Sequence, residues 1–435
     1  MISNLVQIMK LRGLLLLLPI LGLSQNLIVS EIIHKGNTLT KNYVIQREIQ
    51  HQIQMPLDSS IATEDQNRLI NLGIFADVKW RAIPLENMTI RLEYVIIENN
   101  KFWGGRFFGG PAPAYDEETG WSYGAGGVFK NVRGRNEQVG GGFAFGGRNV
   151  FGISYFNPWI SGDHISLRSS IAKADLNHPY LPFRLKLNTV ELNVGRFFGY
   201  NRKTSIGFEI EDLNFISDSI SINYKYFAPQ GYFHYDTRDL YSNPTKGILI
   251  KQVFRGRIDL KRKTQSNYTW FQSYSIYKRL SKIEDQKPWI FAVGLKTQMN
   301  FGEKDQQFLA TMGESGSVRG WHYPSHRNYE DPAQVYRFGF HNLKSSIELR
   351  KVLVPRFPFK NLYELGVTGG IFIDWGVTTQ GNFGDLFSMN PVWGTGFTLQ
   401  FQIPFVPILR LDYGYGFYKG KQIDQAFHLA AIHQI

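Results

Sequence analysis

The chain has 435 residues, with 43 glycines, 15% aromatics and no cysteine. Without cysteine, disulfide frameworks and thiolate metal centres are excluded, and the glycine and aromatic content favours many short strands over helices. The formal net charge of +12 admits nucleic acid or an anionic membrane surface as a partner, but no compact Lys/Arg run is present. The charge reads as dispersed over loops and lumen, and no nucleic-acid partner is expected. A mean hydropathy of −0.24 suggests a soluble protein, an inference that fails for a transmembrane β-barrel because only alternate residues meet lipid there.

Lys10 and Arg12 precede an apolar run, Leu14 to Leu18 with Ile20, Leu21 and Leu23. The run is too short to span a bilayer and ends in small residues, the layout of a secretory signal peptide over residues 1–24, cut after about Ser24. Leu27 to Ile33 reads as a strand. Thr40 is a candidate N-cap for a helix carrying Val44, Ile45, Ile49 and Ile53. A second helix is expected from about Ser60 to Leu72, stopped by Gly73. Phe75 to Ile83 and Thr89 to Ile96 read as strands. The order β-α-α-β-β, with Ile32, Gly36-Asn37-Thr38, the Leu69-x-x-Leu72-Gly73-x-Phe75-x-x-Val78 run and Val95-x-x-Glu98, resembles the polypeptide-transport-associated (POTRA) domain. That resemblance assigns residues 25–100 to a periplasmic module that binds extended chains, and an open sheet edge suits such a role. The alternative is a domain that only supports the remainder of the chain.

From residue 101 to 435, apolar and polar residues alternate. Ile165, Leu167 and Ile171 face away from Ser166, Arg168 and Ser170. Ile220, Ile222, Tyr224 and Tyr226 oppose Ser221, Asn223 and Lys225, and Phe397, Leu399, Phe401 and Ile403 oppose Thr398, Gln400 and Gln402. The apolar side would face a core in a soluble sandwich and lipid in a barrel. Sixteen strands are predicted, starting near 103, 121, 136, 150, 163, 184, 203, 220, 247, 266, 286, 342, 362, 391, 406 and 425. Trp121, Trp159, Tyr180 and Trp289 sit near strand ends, as interfacial girdles do. About 302–341 is a long loop, and its centre reads Val318-Arg319-Gly320-Trp321. Glycine suits a tight tip and the arginine can grip a carboxylate through two parallel hydrogen bonds; an ordinary surface turn is the plainer reading.

Several motifs together resemble the BamA/TamA superfamily of outer-membrane assembly barrels. They are Val318-Arg319-Gly320-Trp321, Phe372-Ile373-Asp374-Trp375-Gly376, Leu411-Asp412-Tyr413-Gly414, and the strand junction Asp236-Thr237-Arg238-Asp239 with Pro244 and Gly247. The resemblance implies an all-β membrane protein: a 16-stranded antiparallel transmembrane β-barrel preceded by one POTRA domain, in the outer membrane of a Gram-negative bacterium. It implies a loop folded back into the lumen, with Arg319 meeting Asp374 on the inner wall. For Asp236, Arg238 and Asp239 a structural turn network is an equal alternative. The implied function is an insertase or translocase that assembles or exports client polypeptides by strand templating at a weak seam, where the first strand, stopped by Pro111 and Pro113, meets the last. Implied partners are unfolded outer-membrane or secreted polypeptides, the bilayer with its lipopolysaccharide, and periplasmic chaperones or accessory lipoproteins. The rival readings are a passive outer-membrane pore for small solutes and a structural or adhesive surface barrel. No HExxH or GxSxG occurs, so no enzyme activity, metal or cofactor is expected.

Overall fold

A computed structural model describes residues 27–99, 107–111, 114–116, 120–217, 219–262, 266–360, 363–403, 406–430 and 435. The expected leader, residues 1–24, lies outside these described residues. The first folded unit contains β1 (Ile28–Lys35), α1 (Asn42–Gln46), α2 (Ser59–Asn71), β2 (Phe75–Pro84) and β3 (Thr89–Glu98). Its sheet order is β1-β3-β2, with β1 parallel and β2 antiparallel to β3. Val29, Ile45, Leu69, Phe75, Val78, Ile90 and Leu92 are fully buried between the sheet and the helices, each stabilising by roughly 1.5–3 kcal/mol. Residues 54–57 take up the outer edge of β1: Val29 N–H donates to Met55 O at 2.9 Å, and Gln54 N–H donates to Val29 O at 2.7 Å. β2 is the other edge.

The first helix is shorter than its spacing predicts. Buried Asp65 on α2 accepts the backbone N–H of Gln50 at 2.8 Å and of His51 at 3.2 Å, and also Tyr94 Oη at 2.7 Å. These bonds draw residues 50 and 51 out of helical geometry, so α1 ends at Gln46 and Ile53 is left exposed. Lys41, not Thr40, occupies the N-cap position. At the other end of the sheet, the Glu98 carboxylate accepts N–H groups of Thr38 at 3.0 Å and Thr40 at 2.7 Å, and Thr38 Oγ1 at 2.8 Å. Burial alone would raise the pKa of Glu98. These donors outweigh it and hold the carboxyl below its ordinary value.

The rest of the chain is a closed antiparallel barrel. β4 (Phe107–Pro111) and β5 (Ala114–Asp116) are two pieces of one strand, both paired with β6 (Gly120–Val132). The wall continues through β7 (Glu137–Gly146), β8 (Asn149–Ser161), β9 (Ile165–Asn177), β10 (Arg184–Phe198), β11 (Arg202–Ile216), β12 (Ser221–Asp236), β13 (Gly247–Asp259), β14 (Asn267–Arg279) and β15 (Trp289–Gly302). A loop comes next, with the two-residue hairpin β16 (Ala310–Thr311) and β17 (Phe338–Gly339) around α3 (His326–Glu330). The wall then resumes with β18 (His341–Phe359), β19 (Tyr363–Thr379), β20 (Val392–Ile403), β21 (Val406–Tyr418) and β22 (Lys421–Ala430), which closes against β4. With β4 and β5 taken as one strand, the barrel has sixteen. The POTRA-like module sits at one end, the proximal one; the long loop springs from the distal end.

The exposure pattern is inverted relative to a soluble protein. On β20, Phe397 is 65% exposed while its neighbour Thr398 is 2% exposed. Ile171, Val190, Leu192, Ile206, Phe254, Ile276 and Phe291 are likewise exposed on the outer wall, an apolar belt far too continuous for water. β12 departs from the expected pattern. Its apolar side, Ile222, Tyr224 and Tyr226, faces inward and packs with Leu213, Phe215 and the loop residue Phe308. There the strand carries a docked loop inside, while Asn223 and Lys225 point outward. Trp121 and Trp289 are exposed near strand ends. Tyr180 instead is buried against Tyr329 and Phe338 of the loop, and Trp159 stacks on His164 at 3.9 Å; neither belongs to a girdle. No helix among the described residues is long and apolar enough to cross a membrane.

Glu98→Ala should remove the donor clasp of Thr38–Thr40 and cost the module about 1–3 kcal/mol at neutral pH. A depressed carboxylate contributes stability above its unfolded pKa, about 4.3, and loses it as pH falls through the folded value. The difference between wild type and variant in proteolytic nicking of residues 27–99 should therefore shrink below about pH 4; equal nicking at pH 7 would refute the clasp.

Candidate functional site

Inside the barrel the long loop turns back and presses its tip against β18–β22. Arg319, at the tip, is fully buried. Its Nε donates to Asp374 Oδ2 at 2.8 Å and its Nη2 to Asp374 Oδ1 at 2.8 Å, and its own backbone N–H donates to Asp374 Oδ2 at 2.9 Å. Ser346 Oγ accepts from Nη2 at 3.0 Å and donates to Asp374 Oδ1 at 2.6 Å. Arg319 Nη1 lies 2.7 Å from Glu348 Oε1 and 3.5 Å from Asp412 Oδ1. The Glu348 contact is a close ion contact without hydrogen-bond alignment. The guanidinium also covers the Phe372 ring, 3.7 Å from its centroid.

Strand register brings these groups together. Ser346 and Asp374 are direct partners across β18 and β19. Phe372 and Asp374 are alternate residues of β19, and Ser346, Glu348 and Arg350 are alternate residues of β18, so each set shares the inner face. Arg410 Nε bonds Asp412 Oδ2 at 2.6 Å, and Arg350 Nε lies 3.4 Å from Glu348 Oε2. Three buried guanidiniums thus face three buried carboxylates, and the formal charges cancel. Such a network tolerates low dielectric only while each member keeps its partner.

The residues beside Arg319 fix its position. Val318 and Trp321 are buried with Met312 and Val392, and Trp321 Nε1 donates to Trp393 O at 2.7 Å. Gly320 has φ +86°, and a Cβ there would lie 2.7 Å from the Tyr415 backbone, so a side chain is excluded by both conformation and space. Gly376, Gly394, Gly414 and Gly416 line the groove in which the tip rests; a Cβ on Gly394 would collide with Arg319 O. The tip also reaches the last strand. His322 N–H donates to Asp424 Oδ2 at 3.0 Å, and Gly320 N–H donates to His428 Nε2 at 3.3 Å. Arg337, 2% exposed, ties the loop stem through Met312 O at 3.1 Å and through His322 O. Sequence reasoning missed Glu348, Arg410, Arg337, Asp424 and His428; their signal was a charged or polar residue at an inward strand position or in the loop stem.

The strand junction lies at the proximal end. Arg238 grips Asp236 in a bidentate pair, Nε to Oδ1 at 2.9 Å and Nη2 to Oδ2 at 2.8 Å. Asp239 folds the turn by accepting N–H groups of Leu240 and Thr245, each at 2.9 Å. Pro244 is buried. Gly247 has φ +111°, and a Cβ there would collide with Thr237 O. The Asp236–Arg238–Asp239 group and the Arg319–Asp374 group stay apart. The turn does more than join β12 to β13. Asn243 Nδ2 donates to Thr368 Oγ1 at 2.8 Å on β19, and Ser242 Oγ accepts from Gln402 Nε2 at 3.2 Å on β20, across the barrel mouth. Leu240 packs against the module core, and Asn71 on α2 bonds Asp239 O at 3.1 Å and Tyr241 N at 2.8 Å. Arg356 of β18 clamps the start of β2 through Ala76 O at 2.6 Å. The module is therefore held across the proximal mouth.

Arg319→Ala would leave Asp374 and Glu348 as buried charges without their main partner, a loss of about 3–5 kcal/mol to loop seating. The barrel should still form, seen as retained heat-dependent gel mobility, while the loop becomes sensitive to protease at 313–323. Arg319→Ala/Asp374→Ala should recover part of the loss; a protected loop in the single variant would refute the grip.

A family model described as the Omp85 superfamily domain matches residues 131–431. No match was found among curated proteins. Among solved structures, BamA from Haemophilus ducreyi lacking POTRA domains 1–3 is similar at 18% identity and a TM-score of 0.54, over 93% of this chain and 83% of that one. CdiB from Escherichia coli is similar at 12% identity and a TM-score of 0.52, over 93% and 89%, and CdiB from Acinetobacter baumannii at 13% and 0.54, over 93% and 73%. At such identities these likenesses establish the fold, and they include the sixteen-stranded wall. Barrels of the matched superfamily lie in the Gram-negative outer membrane, which supplies the lipid that the apolar belt requires. With more than half its length matched, and with the lumenal arginine loop in place, the chain belongs to the Omp85 superfamily.

Proposed function

We propose that the protein is an outer-membrane insertase or translocase that assembles or exports client polypeptides without chemical catalysis, its module facing the periplasm. The observation that carries this reading is a proline in the strand that closes the barrel, Pro111 of β4. Pro111 ends β4 and lacks an N–H, so it donates nothing to the ladder. A seam between β22 and β4 weakened by that missing donor opens at low cost and exposes N–H and C=O groups that template an incoming strand. A client would reach it along the edge of β2 beyond Asp77, past the part clamped by Arg356. The loop tip bonds Asp424 and His428 on β22, which couples loop seating to one side of the seam.

A passive pore needs an open lumen. The seated loop and the module across the proximal mouth both speak for guarded passage instead. Accessory lipoproteins, chaperones and lipopolysaccharide are expected partners on the family resemblance alone.

Reconstituted in liposomes, the wild-type protein should accelerate folding of an unfolded outer-membrane barrel, and Arg319→Ala should lose most of that acceleration. A disulfide between cysteines introduced into the adjacent strands β4 and β22 should abolish activity reversibly with reductant. Full activity in the locked form would sink seam templating; no acceleration by wild type, with steady conductance in planar bilayers, would favour the pore.

A further inference from the structure

The proximal half of the lumen carries a row of bases that neither the arginine loop nor the strand junction uses. On β11, β12 and β13 the register sets Lys203 opposite His234 and His234 opposite Lys251, all on the inner face. Such cross-strand neighbours sit about 5 Å apart at Cβ, where like charges oppose each other. Arg168 of β9 lines the same cavity, which has a volume of about 430 Å³. Arg168 and Lys203 lean on Phe156, 5.1 and 5.3 Å from its ring centre. Among the described residues, Arg168, Lys203 and Lys251 form no ion pair. The acids nearby are already engaged. Glu191 accepts from Ser170 at 3.0 Å and Gln230 at 3.0 Å, and Asp236 is held by Arg238, with His234 Nε2 3.7 Å away. Further toward the distal end the pattern reverses: Arg255 pairs with Glu209 and Glu211, and Arg257 with Glu211. Those arginines have carboxylate partners that Lys203 and Lys251 lack.

The chamber has an approach. A second cavity of about 280 Å³ lies between the module and the barrel rim and shares Phe156 with it. Arg47, Arg68 and Arg135 line this mouth, with Glu48 as its acid. Arg47 stacks 4.1 Å above Trp159, and Arg68 4.4 Å from Tyr200.

We propose that the proximal chamber binds an acid-rich extended segment of the polypeptide handled by the barrel, its carboxylates seated on Lys203, Lys251 and Arg168. The inference rests on the reading of the substrate as polypeptide and adds its chemical class. Lys203 and Lys251 are two strands apart, roughly 10 Å, about the reach of three residues of extended chain. The aromatic rings beside the cations suit the hydrocarbon of such a segment. A lipid phosphate fits less well: the chamber is on the inner wall, and acyl chains would have to cross strands whose outer side is the apolar belt.

The test uses the full-length protein in detergent micelles and fluorescent ten-residue peptides, one of glutamates and one of glutamines in glycine-serine context, read by anisotropy at several salt concentrations. The glutamate peptide should bind, weakening as salt rises, and the glutamine peptide should not. Arg168→Gln/Lys203→Gln/Lys251→Gln should weaken binding at least about tenfold, with unchanged heat-dependent gel mobility. Lys203→Glu/Lys251→Glu should switch preference to a lysine peptide, a gain that misfolding cannot mimic. Equal binding of both acidic and neutral peptides, or binding unaffected by the triple substitution, would overturn the chamber. Displacement by anionic phospholipid vesicles as effective as by the peptide would give the site to lipid and overturn it too. If the wild type accelerates client folding yet ignores the acidic peptide, the chamber inference fails and the functional reading stands. Peptide binding without any client folding would remove the functional reading and leave only an acid-binding site.

Discussion

Arg319 is cut off from water and is matched by carboxylates carried on three wall strands: Asp374 on β19, Glu348 on β18 and Asp412 on β21. A charge in that setting is stable only while all its partners stay in place. The consequence runs in both directions. The loop is anchored by the wall, and the wall in this sector is ordered by the loop, because Asp374 would otherwise be a buried anion without a cation, and Glu348 and Asp412 would keep only Arg350 and Arg410. The glycines Gly376, Gly394, Gly414 and Gly416 belong to the same design: they remove side chains where the tip must touch backbone.

The remaining architecture can be read as two closures around that anchor. Distally, the loop fills the lumen through Phe308, Tyr224 and Phe215, which is why β12 turns aromatic rings inward near that end. Proximally, the turn after Asp236 crosses the mouth to Thr368 and Gln402 and seats the module through Asn71 and Leu240. Between the closures, Arg255, Arg257, Arg319 and Arg410 have carboxylate partners, whereas Lys203 and Lys251 on the proximal inner wall have none among the described residues. Loop seating also reaches the last wall strand, through Asp424 and His428 of β22.

Much of this was legible along the chain. Period-2 alternation over β10 and β20, punctuated by turn residues, revealed sixteen strands because side-chain direction is a local property of extended backbone. The tetrapeptide around Arg319 and the Phe372–Gly376 stretch stood out because each is contiguous. Other features were hidden for identifiable reasons. The first helix looked longer than it is, because its spacing says nothing of Asp65, a distant carboxylate that claims the backbone of Gln50 and His51. Trp159 and Tyr180 looked like membrane-interface residues because composition near strand ends does not say which neighbour arrives. Alternation on Ile222, Tyr224 and Tyr226 revealed two faces of β12 but not which one meets lipid.

By itself, then, the sequence determined a small α/β module, a long series of amphipathic strands, and a glycine-flanked arginine in a loop, since all three follow from local backbone preference and residue spacing. Only the tertiary structure decided which inward residues meet. Glu348 and Asp412 lie far apart along the chain yet share one guanidinium, and Lys203, His234 and Lys251 become neighbours solely through the register of three strands. Register is set by the closure of the whole wall and by what the lumen must hold, and no single strand carries that information.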